Sequence, residues 1–135
     1  NPLNFKILNT YGFKKELRQG NIFLQNGLLT NPEKAVELYA GSMYIQHNPM
    51  VGDGTRAFIE YFEGSKKEYP EKSIKFVRAV SEGDFVALHT HRIWPGNDEY
   101  VTMDFFNFDD NGKIVEHWDS IQQIPETPAI DNRMY

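Results

Sequence analysis

Cysteine is absent from this chain of 135 residues. Its absence excludes disulfide bonds, thiolate nucleophiles and zinc sites built on cysteine. It also means that the composition gives no information about the redox compartment, so the localisation is open. Catalysis or metal binding, if present, must use histidine, carboxylate or hydroxyl groups.

Long apolar runs and blocks of basic residues are absent as well. No apolar run approaches the roughly 20 residues that a membrane-spanning helix needs. The chain has 14 Lys and Arg against 19 Asp and Glu, a net charge of -5, which argues against nucleic acid as a partner. We therefore expect a soluble protein, cytoplasmic or exported after removal of a signal peptide, with no membrane or nucleic-acid partner.

Aromatic residues are abundant, with 10 Phe, 7 Tyr and 2 Trp. This high aromatic content is typical of a protein with a large core or an apolar pocket. The length fits one domain over 1–135, and neither an internal repeat nor a low-complexity segment divides it. We expect the folded core to cover about 5–124, and the proline-containing tail at 125–135 to lie over the surface.

Helical segments come first in the chain. Apolar residues recur at nearly helical spacing from 5 to 28, although Gly12 and Gly20 interrupt them. Asn31-Pro32-Glu33 supplies a cap, a first-turn proline and a first-turn acid for a short helix. The predicted elements are helices at 5–28, 32–39 and about 53–63, the last ended by Gly64, a short strand at 43–47, and a charged loop at 65–72.

The apolar period changes to two from residue 73 onward. Four strands are predicted, joined by turns that contain glycine, which is the pattern of an antiparallel meander. Helices followed by hairpin-linked strands favour an α+β domain in which helices cover one face of a curved, mostly antiparallel sheet. The predicted strands are 73–82, 84–94, 99–109 and 113–123.

Titratable side chains lie on the predicted strand faces beside apolar ones. His117 and Asp119 are two positions apart, so they share a face of the last strand. A buried charge is unfavourable unless it is paired, so this mixture suits the wall of a pocket. We expect three such faces to converge under the helices, with His47 at the mouth of the pocket. These three faces carry His89 and His91 on the strand 84–94, Asp104 and Phe106 on the strand 99–109, and His117 and Asp119 on the strand 113–123.

A carboxylate bonded to a histidine fixes the tautomer and raises the basicity of the imidazole. We therefore interpret His117 and Asp119 as a base unit, with His91, Asp104 or Tyr44 as proton donors. Two other interpretations stay open: a structural hydrogen-bond pair, and a metal site that uses the His-x-His spacing. The remaining candidates, His47, His89 and Phe106, are predicted with Tyr44 to contact the substrate.

Four stretches of the sequence resemble the SnoaL-like proteins of the nuclear transport factor 2-like superfamily. They are YIQHNP (44–49), GDG with the Phe-rich helix after it (52–62), SEGDFVALHTH (81–91) and NGKIVEHWDSIQ (111–122). The resemblance implies a cone-shaped α+β barrel in which N-terminal helices pack on a strongly curved sheet around an apolar cavity. It also implies a homodimer that packs through the outer face of the sheet.

Polyketide cyclases of that branch close rings by a cofactor-free aldol reaction with His and Asp acid/base groups. The superfamily also contains isomerases, dehydratases and binding modules, so the fold alone does not define the chemistry. The matching histidines here are His47, His89, His91 and His117, whereas Asn107 stands where relatives often carry arginine. We predict a cofactor-free lyase or isomerase for a small apolar carbonyl compound. A ligand-binding or association module and a metal-dependent enzyme are the alternatives.

Overall fold

The computed structural model describes residues 31–94, 96 and 98–135, so the helix predicted at 5–28 lies outside the described residues. Two helices and five strands follow one another along this part of the chain. No helix in this part of the chain is long and apolar enough to cross a bilayer. The elements are α1 (Pro32–Tyr39), β1 (Ala40–Gln46), α2 (Gly54–Glu68), β2 (Ser73–Glu82), β3 (Phe85–Ile93), β4 (Glu99–Phe108) and β5 (Ile114–Gln123).

Both helices begin at side-chain caps. Asn31 accepts a hydrogen bond from the Lys34 backbone at the start of α1, as predicted, and Asp53 caps α2 in the same way. The predicted end of α2 at Gly64 is wrong, because the helix continues to Glu68. A single interior glycine costs about 1 kcal/mol, which burial of the apolar face of α2 outweighs.

The strands form one sheet in the order β1-β5-β4-β3-β2. Strands β2 to β5 make the predicted antiparallel meander, and β1 returns to pair in parallel with β5 at the sheet edge. The sheet is strongly curled without closing on itself, and the helices pack on it. The predicted α+β class is confirmed.

The inner face of the sheet is defined by its register. Leu88 of β3 lies opposite Asp104 of β4, and Asp104 lies opposite Asp119 of β5. Directly opposed residues share a face, so the even-numbered residues of β3 point the same way as Asp104. The inner face therefore carries Val86, Leu88, Thr90, Arg92, Thr102, Asp104, Phe106, His117 and Asp119.

This register contradicts the prediction for two histidines. His89 lies opposite Met103 and His91 opposite Val101, which places both on the outer face. They are buried there because the end of the chain covers them: His89 donates to the Met134 carbonyl oxygen, and the His91 ring stacks on Tyr135. Their burial therefore reflects contact with the tail.

The hydrophobic core lies between the inner face of the sheet and the helices. Phe58 and Phe62 of α2 pack as a tilted aromatic pair, with ring centroids 4.6 Å apart. Phe106 and Ile114 on the strands have no exposed surface. The core cluster consists of Ala35, Tyr44, Phe58, Phe62, Val86, Leu88, Phe106, Phe108 and Ile114.

Candidate functional site

A buried histidine and carboxylate form the centre of the inner face. His117 Nε2 lies 2.8 Å from Asp104 Oδ1, and Asp104 has no exposed surface. The Phe106 ring packs against the imidazole with centroids 4.7 Å apart. The alternation of β4 and β5 directs both polar groups inward, so the His-carboxylate pair is a product of strand register.

The second ring nitrogen of His117 is also occupied. Nδ1 lies 2.8 Å from Oε1 of Gln46, and this amide oxygen also accepts from the Asn48 backbone N–H at 3.0 Å. An amide oxygen and a carboxylate oxygen are both acceptors, so an oxygen atom contacts each of the two ring nitrogens. Neither ring nitrogen of His117 is therefore left free to act as a general base in this arrangement.

Asp104 is held as a carboxylate by several donors. The Thr102 hydroxyl donates to Oδ2 at 2.5 Å, and Arg92 Nη2 lies 3.4 and 3.5 Å from the two oxygens. The Thr90 hydroxyl donates in turn to that of Thr102. Burial alone would raise the pKa of Asp104, but Arg92, His117 and Thr102 together outweigh it and lower the pKa.

Asp119 differs from Asp104 in its exposure to solvent and in the charges that surround it. It is half-buried, and Asn48 Nδ2 donates to its Oδ2 at 3.0 Å. Burial and the nearby Asp104 charge raise the pKa of Asp119, against the opposing effects of His117 and Asn48. Within the described part of the chain, Oδ1 of Asp119 makes no hydrogen bond. Asp119 is thus the carboxyl group of this cluster that can take up and release a proton.

Tyr44 adds a phenol beside the two carboxylates. It is buried, and its ring packs edge-on against Phe58 at 5.9 Å. Burial, followed by the charges of Asp119 and Asp104, raises the pKa of its hydroxyl. The hydroxyl accepts from Gln46 Nε2 at 3.1 Å. A phenol that stays protonated at neutral pH is a hydrogen-bond donor.

Asp104, His117 and Asp119 are also the residues by which the predicted metal site can be judged. One ligand atom from each of Asp104, His117 and Asp119 lies within 4.8 Å of the others, a separation that a metal ion can bridge. However, Asp104 and His117 are hydrogen-bonded to each other, and a guanidinium contacts the same carboxylate. A cation next to Arg92 would meet repulsion, so this donor set fits proton transfer better than metal binding.

Three predicted site residues lie away from this cluster. Besides the two outer-face histidines, His47 points outward: its ring stacks on Trp118 at 4.7 Å, and Nε2 lies 2.7 Å from Glu116. His91 Nε2 lies 2.8 Å from Glu99. The structure therefore does not bring His47, His89 and His91 into this cluster. Asp104, His117, Asp119, Tyr44 and Phe106 are brought together.

Four residues of the cluster were missed from the sequence. Gln46 and Asn48 flank His47, so the same alternation that turns His47 outward turns them inward. Arg92 and Thr102 contact Asp104 directly. The available signal was Arg92 itself, a charged residue on the strand face that carries Val86 and Leu88, where burial requires a counter-charge.

Solved structures share this architecture. A SnoaL-like candidate isomerase from Agrobacterium tumefaciens is 13% identical with a TM-score of 0.68, covering 81% of this chain and 99% of that chain. A candidate SnoaL-like polyketide cyclase from Shewanella putrefaciens is 14% identical, with a TM-score of 0.70 and coverages of 86% and 85%. A candidate ketosteroid isomerase from Kribbella flavida is 14% identical, with a TM-score of 0.66 and coverages of 89% and 87%. At such identity these likenesses show the fold alone.

The fold and the buried cluster define a small α+β protein of the nuclear transport factor 2-like class, with titratable groups on the concave face of its sheet. The model of the SnoaL-like domain matches residues 29–117, about two thirds of the chain. The chain belongs to the SnoaL-like domain family. No curated protein matches the sequence significantly.

Proposed function

We propose that this protein is a cofactor-free acid/base enzyme that transfers a proton next to a carbonyl group, as an aldol-type cyclase, isomerase or dehydratase does. The observation that carries the proposal is the half-buried Asp119 carboxyl, with a raised pKa, beside the buried Asp104–His117 pair. Leu88, Phe106 and Tyr44 give the surroundings the apolar character that a small carbonyl compound requires.

Each polar group has a separate role in the proposed reaction. Asp119 removes the α-proton of the substrate and later returns it, because its raised pKa brings it towards the range of an effective general base. The Tyr44 hydroxyl donates to the developing enolate oxygen. Asp104 fixes the orientation of the His117 ring, which places a polar group beside the reacting atoms. Asp104 and His117 are therefore positioning and electrostatic residues in this scheme.

Exchange of α-protons in D₂O tests the proposal without a known substrate. We expect the protein to accelerate deuterium incorporation into a bicyclic aryl ketone such as 2-tetralone, monitored by NMR. Asp119→Asn removes the base, so the catalysed rate should fall by about 10²-fold or more. Glu116→Gln is the matched control, because Glu116 lies on the same strand but contacts His47 on the outer face.

The competing function is that of a ligand-binding module. In such a module the hydrogen-bonded Asp104–His117 pair would be part of a structural network. That function predicts a ligand-dependent rise in melting temperature without any α-proton exchange. Equal exchange rates for the wild type and Asp119→Asn would contradict the assignment of Asp119 as the base. Added Zn²⁺ that raised the exchange rate would instead favour the metal-dependent alternative.

A further inference from the structure

The guanidinium of Arg92 is buried and incompletely paired. Its side chain is 8% exposed, yet its contacts to Asp104 are long, at 3.4 and 3.5 Å. Charge-assisted bonds between arginine and carboxylate are usually about 2.7–2.9 Å. The Asp104 oxygens instead make short bonds to His117 and Thr102. Among the described residues, Arg92 Nε has no hydrogen-bond partner.

A second buried cation lies on the same side of the sheet. Lys72 directly precedes β2, and two residues later Ile74 of β2 lies opposite Arg92. The Nζ atom of Lys72 lies 5.7 Å from the centroid of the Phe62 ring on α2. Lys72 is 6% exposed. The Ser65 hydroxyl accepts from Nζ at 2.6 Å, and no carboxylate within the described residues does so. Burial and the nearby Arg92 charge lower the pKa of Lys72 to about 8.

Among the described residues, the positive charges of this region are not balanced by an anion. The two buried cations repel each other, and Asp104, the carboxylate that contacts Arg92 among the described residues, is already bonded to His117. An ammonium and a guanidinium are normally buried only with a compensating charge. Arg92 Nε–H and the remaining donors of Lys72 supply hydrogen bonds of the kind that a carboxylate accepts.

We propose that Arg92 and Lys72 form a subsite for a carboxylate group of the substrate, next to the Asp119 cluster. This inference rests on the proposed function, because it names the substrate class of the same site: a carbonyl compound that also carries a carboxylate. The carboxylate binds between the two cations and leaves the carbonyl part of the molecule against the apolar residues around Asp119.

Benzoate and its neutral counterpart benzamide are the probes for this subsite. We expect benzoate to shift the ¹H–¹⁵N resonance of Arg92 Nε, assigned by its loss in Arg92→Lys, and to bind at least about tenfold more tightly than benzamide. Lys72→Met should remove most of this preference. Lys75→Met is the matched control, because Lys75 is exposed and lies opposite His91.

The proposal is overturned if the wild type binds both probes equally, or if benzoate leaves the Arg92 resonance unmoved. The wild-type spectra decide this even if Lys72→Met fails to fold, which its melting temperature reports. The two proposals fail separately. Preference for benzoate without α-proton exchange keeps the subsite and removes the enzyme function, whereas exchange without preference does the reverse.

Discussion

Asp104 and Asp119 share the inner face of adjacent strands, yet their environments shift the two carboxyl groups in opposite directions. Asp104 is fully buried among donors and a guanidinium, which favours its charged form. Asp119 is half-buried, with one described donor and the Asp104 charge nearby, which disfavours ionisation. Two acids on one face can thus take different roles because of their neighbours.

The shifts imply opposite contributions to the pH dependence of stability. The folded-state pKa of Asp104 is lowered, so its stabilisation is present above the unfolded value of 3.8 and is lost as the pH falls through the folded value. The folded-state pKa of Asp119 is raised, so its contribution is full below 3.8 and declines as the pH rises through the folded value.

Asparagine substitutions at the two positions should therefore differ in sign at pH 7. Asp104→Asn breaks a buried ion pair, and we expect it to reduce the free energy of unfolding by about 3–5 kcal/mol. Asp119→Asn should leave stability unchanged or raise it. Urea denaturation from pH 3 to 8 checks both expectations, and a marked loss of stability in Asp119→Asn at pH 7 would contradict the environment described for Asp119.

At the scale of elements, the sequence was sufficient for the Asn31 cap of α1, the four strands of the meander and the pairing of β4 with β5. It was not sufficient for the facing of β3. Ile93 at the end of β3 pairs with Glu99 at the start of β4, and the length of the loop between them sets the register of the hairpin. That register decides which residues of β3 point inward. A shift of one residue reverses every side chain of a strand, and both faces of β3 mix apolar and polar residues.

The sequence also did not indicate that Gln46 and Asn48 belong to the site. Both meet β5 residues 71 positions later in the chain, across a parallel pairing. Parallel strands need a long connection, so no local turn signal reports which strand β1 will join. The part of the site built by Asp104, His117 and Asp119 on the β4–β5 hairpin was predictable, and the part built across the β1–β5 edge was not.

One cap connects an element to the site. Asp53 Oδ1 accepts from Gly54 N at 3.0 Å, as the α2 cap, and from Gln46 N at 2.9 Å, at the end of β1. We expect Asp53→Ala to reduce the free energy of unfolding by about 1–2 kcal/mol and also to slow α-proton exchange, because Gln46 positions His117.

Asn31→Ala is the control for this prediction, since Asn31 caps α1 and has no described contact with the cluster. Its effect should be confined to stability, at about 1 kcal/mol. Chemical denaturation and the exchange assay separate the two effects. If Asp53→Ala loses stability but keeps full exchange activity at a temperature where it is folded, the link from cap to site is wrong.

At the scale of the whole molecule, the outer face of the sheet carries apolar side chains that the described part of the chain leaves exposed. Phe85, Met103 and Phe105 are each nearly half exposed, and Val80 is 64% exposed. A cavity of about 370 Å³ is lined by Val80, Met103, Phe105 and His89. Apolar clusters of this kind mark association surfaces in soluble proteins. We propose that a second copy of the chain covers this face, as the family resemblance implied.

Substitution at the centre of this face tests the homodimer. We expect the wild type to sediment as a dimer and Phe105→Glu to sediment as a monomer, because the introduced charge would be buried against its own symmetry mate. Met50→Glu is the control, since Met50 is 76% exposed and lies outside the sheet. A wild-type monomer at micromolar concentration, or a dimer that persists in Phe105→Glu, would refute the proposed interface.

The parallel pairing of β1 with β5 has a consequence for how the protein acquires its site. The meander from β2 to β5 consists of neighbouring hairpins, whereas Gln46 and Asn48 meet β5 only when a long intervening segment has been enclosed. Closing long loops is slow and entropically unfavourable, so this edge should assemble late in folding. The Asp119 carboxyl, which Asn48 contacts across this edge, would then stay open to water until β1 has paired with β5.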